Sequence, residues 1–248
     1  KGDEIIISEM EHHANIVPWQ LLGEATGSKL KVVPVDQDGN LSIDRFQSML
    51  TNKTKLVAVT HMSNVLGTIV PVRQIVEIAH ANGIPVMIDG AQGVVHSKVD
   101  VQELGADFYV FTGHKLYGPS GVGVLYGKKE LLNKMPPYEG GGDMIEIVTF
   151  EKSTYREAPT KFEAGTPPIV EAVGLAAAIE YIENIGQENI AIHEDNLLKF
   201  ATSELQKIPG LSIFGLSERK AGIISFNVEG IHSHDLSTIL DSRGVSIR

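Results

Sequence analysis

Six short runs rich in β-branched and aromatic residues punctuate the first half of the chain, at 4–7, 30–35, 56–60, 85–88, 108–111 and 122–126, with helical periodicity in most of the gaps. The clearest helix is predicted over 71–82: Pro71 suits the first turn, Val72, Ile75, Val76, Ile78 and Ala79 share one face, and Gly83 ends it. Strands alternating with helices read as a mostly parallel sheet, because a parallel neighbour is reached only through a crossover long enough to hold a helix. The pattern predicts an α/β fold with helices on both faces of the sheet. The run at 122–126 is the exception: it follows Lys115 after only a tight turn, too short for a crossover helix, so it is expected to join antiparallel.

Two of the runs lead into residues that carry chemistry: 85–88 into Asp89-Gly90-Ala91-Gln92, and 108–111 into Thr112-Gly113-His114-Lys115. Carboxyl ends of neighbouring strands are where open α/β sheets bind ligands. A single lysine after a strand is ordinarily a solvated surface residue. Together, an amine able to form a Schiff base and a carboxylate able to keep a pyridine nitrogen protonated suit pyridoxal 5'-phosphate. Thr112, His114 and the run Tyr117-Gly118-Pro119-Ser120-Gly121-Val122-Gly123 add hydroxyl, imidazole and free backbone amides, which a phosphate requires.

Composition narrows the partners. The 248 residues suffice for one large domain or a domain and a half, and the net charge of −10 argues against a nucleic acid or an anionic membrane surface. A small-molecule substrate fits better. No apolar run approaches the roughly 20 residues that cross a bilayer, and the first residues lack a signal-peptide core, so a cytoplasmic protein is expected. There is no cysteine, hence no disulfide, thiolate metal site or catalytic thiol within these residues.

After Gly127 the texture changes. The Gly, Pro and polar stretches 136–142 and 154–168 read as functional or interface loops, followed by long helical patterns at 169–185 and 187–207. Strand-like runs at 211–214 and 222–228 and a helix over 233–242 complete a second, smaller α+β unit. His232-Ser233-His234-Asp235 has ligand-type residues without a matching cluster nearby, so it reads as a helix start capped by Ser233 or Asp235, and no metal site is expected. Gly140-Gly141-Gly142 lacks the spacing of a nucleotide loop and is read as a flexible loop near the mouth of the site. The chain opens without Met straight into one strand-like run and stops within another at 245–248, so both ends look cut.

Five segments carry a family resemblance: Met10-Glu11-His12-His13-Ala14-Asn15-Ile16-Val17-Pro18-Trp19, His61-Met62-Ser63-Asn64-Val65-Leu66-Gly67-Thr68, the Asp89 and Lys115 motifs, and Phe162-Glu163-Ala164-Gly165-Thr166-Pro167. With them the chain resembles the fold-type I pyridoxal phosphate enzymes of the aminotransferase class V group, and within it the SUF-type (group II) cysteine desulfurases. The resemblance implies a seven-stranded-type, mostly parallel sheet in a large cofactor-binding domain over 1–180, and part of a small α+β domain over 181–248, both incomplete.

It also implies roles. Lys115 would be the Schiff-base lysine and proton shuttle, Asp89 the partner of the pyridinium nitrogen, and His12 a platform over the ring that assists proton transfer. Read from spacing alone, His12 is also a plausible helix-start histidine. Asn64 and Gln92 would bond the phenolic oxygen, with Asn64 near the substrate carboxylate; taken singly, either amide could equally cap local backbone. Thr112 and His114 would hold the phosphate, and Thr166 would reach the phosphate of a second subunit in a homodimer. Arg248 would grip the substrate carboxylate, as a guanidinium fork can.

The implied reaction converts L-cysteine, or L-selenocysteine in relatives, to alanine and passes sulfur to an acceptor protein for iron–sulfur cluster assembly. A desulfurase needs a thiolate, which the resemblance places on a loop a few residues beyond Arg248. A thiol-free class V enzyme (aminotransferase, epimerase or kynureninase-like hydrolase) and a non-catalytic scaffold subunit remain alternatives.

Overall fold

The computed structural model describes residues 2–248. The strands of its main sheet are β1 (Glu4–Ser8), β2 (Lys29–Val33), β3 (Thr54–Thr60), β4 (Val86–Asp89), β5 (Phe108–Thr112) and β6 (Gly123–Gly127), in the order β2-β1-β3-β4-β5-β6. All neighbours are parallel except β5 and β6, which pair antiparallel from Phe108 opposite Gly127 to Thr112 opposite Gly123. The predicted strands and the one reversed strand are therefore present. Among the described residues the sheet has six strands, one fewer than the seven-stranded type that the resemblance implies. The second run ends at Val33 rather than Val35, because Pro34 has no N–H to give to the ladder; Val35 makes only an isolated bridge to Leu41.

Helices α1 (Val17–Thr26), α2 (Ile43–Met49), α3 (Val72–Ala81), α4 (Gly93–His96), α5 (Val101–Leu104) and α6 (Lys129–Lys134) fill the connections. They cover the two faces unequally. Alternate residues of a strand point to opposite faces. On one face Ile6, Val57, Val59, Val86, Ile88 and Tyr109 meet Phe46 of α2 and Val72, Ile75, Val76 and Ala79 of α3. On the other, Ile5, Ile7 and Ala58 form a thin layer under Ile16 and Trp19. α3 follows its predicted pattern closely, with Gly83 in the left-handed region at φ +69° just beyond its end.

A hairpin of β7 (Ile145–Val148) and β8 (Ser153–Tyr155) lies between the two stretches read as loops, 136–142 and 154–168, and overlaps the start of the second. Residues 146–148 are exposed on both faces, so the alternation Ile145-Glu146-Ile147 does not mark a buried face. Helices α7 (Ile169–Ile185) and α8 (Gln187–Leu205) match their expected spans nearly to the residue. α7 adds Leu175 and Ile182 to the thicker core, and His96 Nδ1 meets Glu194 Oε2 of α8 at 2.8 Å. The antiparallel pair β9 (Leu211–Phe214) and β10 (Ser225–Val228) and helix α9 (Ser233–Asp241) follow.

Two local expectations are corrected. The cap of α9 is neither Ser233 nor Asp235 but His232, whose Nδ1 accepts from the His234 N–H at 3.3 Å, one residue earlier in the helix start than expected. Residues 245–248 form no strand, because an extended segment becomes one only by pairing, and none of the described residues pairs with them. Among the described residues, no helix is long and apolar enough to cross a membrane.

Candidate active site

The sheet brings β1, β3, β4 and β5 to a common carboxyl edge, and a cavity of about 830 Å³ opens there on the thinly covered face. Its walls include His12, Asn64, Asp89, Gln92, Thr112, His114, Lys115 and Arg248. Eight of the nine residues predicted from sequence thus share one space, although they lie up to 236 positions apart, from His12 to Arg248. The ninth, Thr166, lies in the loop before α7 and does not line the cavity. Nor does Gly140-Gly141-Gly142; its Gly142 carbonyl is tied to the Gly165 N–H at 3.0 Å.

Strand parity decides what faces the cavity. Val86 and Ile88 enter the thick core, while Met87 and Asp89 point the other way, and Asp89 stands beside Val110 across the ladder. Met87, Val110 and Phe111 give the cavity an apolar wall that the sequence reading did not anticipate, although Met87 is two residues before Asp89 and so must share its face. One Asp89 oxygen accepts from the Ala91 N–H at 3.0 Å.

The glycines of the Asp89 motif are steric requirements. A Cβ on Gly90 would lie 2.0 Å from Cε1 of Tyr109, and one on Gly93 would lie 2.5 Å from Nδ1 of His61. Tyr109 and His61 are hydrogen-bonded to each other at 2.9 Å beneath the turn, and the His61 N–H donates to the Asp89 carbonyl at 2.8 Å. Burial first, and the nearby Arg219 charge second, lower the His61 pKa to about 4, so this imidazole stays neutral; burial and then the Asp89 charge hold the Tyr109 phenol above its ordinary range. The Asp89 turn therefore rests on an uncharged pair.

Thr112 ends β5, and its hydroxyl meets His114 Nδ1 at 2.8 Å in the short 3₁₀ turn Gly113–Lys115 that delivers Lys115 to the cavity. Gln92 stands at the start of α4 but makes no side-chain cap there, so its amide is not spent on the helix. His12 starts a helical turn and also faces the cavity. Its Nδ1 accepts from the Ala14 N–H at 3.1 Å, capping a 3₁₀ turn at His13–Asn15, while the residue lines the cavity. An accepting Nδ1 places the proton of the neutral ring on Nε2.

Just before His12, Glu11 is 7% exposed and accepts from Ser8 N–H at 3.3 Å, the Ser8 hydroxyl, Thr60 N–H at 3.1 Å and Asn15 Nδ2 at 2.7 Å. Burial raises its pKa, against the pull of those four bonds.

This donor set fits a phosphorylated pyridine aldehyde: an amine, a carboxylate on the neighbouring strand end, a hydroxyl–imidazole pair and an apolar wall, within the size range of cofactor pockets. The family model described as "Aminotransferase class-V" matches residues 1–248. A probable cysteine desulfurase of Halalkalibacterium halodurans is 49% identical over 248 residues, covering 100% of this chain and 61% of that protein. The chain thus spans about three fifths of that relative's length. The crystal structure of the cysteine desulfurase CsdA from Escherichia coli superposes with a TM-score of 0.94 at 40% identity, over 100% of this chain and 61% of that one. A mutant of C-DES, with glycine covalently linked to its PLP cofactor, does so with a TM-score of 0.90 at 26% identity, over 100% and 67%.

Proposed function

This chain belongs to the aminotransferase class-V family, and from that premise we propose that it is the larger part of a pyridoxal phosphate-dependent cysteine desulfurase, converting L-cysteine to L-alanine with transfer of its sulfur. The observation that carries the reading is the gathering of His12, Asn64, Asp89, Gln92, Thr112, His114, Lys115 and Arg248 around one cavity. The cofactor, when bound, supplies an electron sink for ionisation of an amino-acid Cα–H.

The chain's own residues divide the remaining work. Lys115 Nζ attaches the cofactor and then moves the proton at Cα. The Asp89 carboxylate, one oxygen of which accepts from the Ala91 N–H, would keep a proton on the ring nitrogen. His12 flanks the ring with its proton on Nε2, and Thr112 and His114 hold the phosphate. Asn64 and Gln92 bond the ring oxygen, and the Arg248 guanidinium takes the substrate carboxylate as a fork.

Thr166, which lies away from this chain's cavity, serves the phosphate of a second copy in a homodimer. The sulfur is taken by a thiolate outside these 248 residues, which contain no cysteine, and passes to an acceptor protein; L-selenocysteine is a second substrate.

Lys115→Ala is expected to lose the visible absorbance of the bound cofactor and to lower alanine production from cysteine by about 10³-fold or more; wild-type turnover in that variant sinks the reading. The absence of cysteine favours one second reading, a thiol-free class V enzyme using the same Lys115 and Asp89. Sequencing of the natural protein beyond Arg248 separates the two. A cysteine within a few residues supports the desulfurase, and a chain ending at Arg248 supports the alternative.

A further inference from the structure

Glu11 is a buried carboxylate whose four hydrogen-bond partners are all neutral. An ion without a countercharge is costly to bury, and a neutral side chain would close the same turn at lower desolvation cost. What a carboxylate offers is acceptance on both oxygens with nothing to donate. Oε1 takes Ser8 at the end of β1 and Thr60 at the end of β3, and Oε2 takes Asn15.

The Asn15 amide can face only one way. The indole Nε1 of Trp19 can only donate, and it does so to Asn15 Oδ1 at 3.0 Å, so Nδ2 must point at Glu11. Asn15 is 2% exposed and closes the turn that begins at His12. The relay Glu11–Asn15–Trp19 therefore ties the His12 turn to two strand ends on one side and to α1 on the other.

We propose that Glu11 is a positioning residue, which through Asn15 holds the His12 imidazole against the cavity with its proton on Nε2. The inference rests on the reading above for its effect on turnover, though not for its effect on His12 itself.

The test uses the full-length natural protein. Glu11→Gln keeps the volume but sets an NH₂ group against the Asn15 NH₂. Glu11→Gln with Asn15→Asp restores the order of acceptor and donor, with the carboxylate on the other side. In cofactor-free protein, the His12 ring resonances, identified by their loss in His12→Ala, shift in Glu11→Gln and return in the double variant. In protein loaded with pyridoxal phosphate, kcat/KM for cysteine falls about 10- to 100-fold in Glu11→Gln and recovers to within about threefold in the double variant. Adding Glu11→Gln to His12→Ala causes almost no further loss.

Unshifted His12 resonances, a double variant that fails to recover, or full additivity with His12→Ala each overturns the proposal. Asn15→Ala cuts the same bond from the other side and must also displace His12; its failure to do so overturns the proposal even if Glu11→Gln does not fold. If the variants show the shift and the rescue while the wild-type protein has no desulfurase turnover, Glu11 stays assigned and the function proposed above is removed.

Discussion

Asp107, at the amino end of β5, and Glu11, beyond the carboxyl end of β1, are almost equally buried, at 5% and 7% exposure, yet their surroundings are opposite in kind. Asp107 is met by Lys128 Nζ and His80 Nε2, each at 2.7 Å, and by the Val86 N–H at 2.7 Å. Burial opposes its ionisation, but the Lys128 and His80 contacts prevail and its pKa is lowered. Glu11 meets only neutral donors, and its pKa is raised. The difference separates two tasks. Where the fold only needs holding, charge is spent on charge, binding α3, β4 and the start of α6 at one corner. At the other edge no ion pair joins Asp89, Lys115 or Arg248 among the described residues, so those charges remain for a ligand.

The contrast is broken most directly at Asp107. Asp107→Ala is expected to cost about 3 kcal/mol in denaturant unfolding, the low end for a buried pair, because Lys128 and His80 keep 30% and 36% of their side-chain surface in water. Activity per folded molecule should be unchanged. A loss below about 1 kcal/mol would put this corner in the class of surface pairs and end the comparison.

Acid probes the neutral pair under the site on a similar scale. His61 titrates near 6.5 when unfolded and about 4 when folded, so stability is complete above the unfolded value and is lost as pH falls toward 4. The loss is on the order of 3 kcal/mol, and His61→Gln should flatten the stability–pH curve in that window. Asp107 acts in the same direction at lower pH, since its depressed pKa means that its contribution is lost as pH falls through the folded value.

Gly90→Ala tests the steric base of the Asp89 turn. With the new Cβ 2.0 Å from the Tyr109 ring, about 2 kcal/mol of stability should be lost, together with weaker cofactor binding on titration. Normal stability with normal binding would show that the turn has slack.

Glu11→Gln should move stability least, by about 1 kcal/mol, the low end for a buried donor left unpaired, while disturbing His12 most. The sign of its pH effect is opposite to that of Asp107: a raised folded pKa means that stability is lost as pH rises through that value. The variant should lack this component, and an unchanged curve would count against an ionising Glu11.

Much of this was legible in the chain. The six strands, α3, α7 and α8 announce themselves by period, and Asp89 and Lys115 by standing just past apolar runs. The hairpin β7–β8 is not legible, since Ile145-Glu146-Ile147 is a short alternation between Gly- and Pro-rich stretches and residues 146–148 are exposed on both faces. The cap of α9 is not legible either, because the residue preferences of a helix start favour Ser and Asp over the histidine that performs the task. Glu11 could have been suspected from standing four residues before Asn15, but its third anchor, the Thr60 N–H, is 49 residues away.

Most of the local elements, and the family, can be read from the chain alone, because period, turn chemistry and motif are properties of neighbouring residues. Only the tertiary structure decided that β4 turns Asp89 toward the thin face, that Tyr109 and His61 lie under its glycines, and that Glu11 is buried without a cation. Those facts depend on which distant segments share a strand register and a buried volume, and burial sets the charge state of a group whatever its neighbours in sequence.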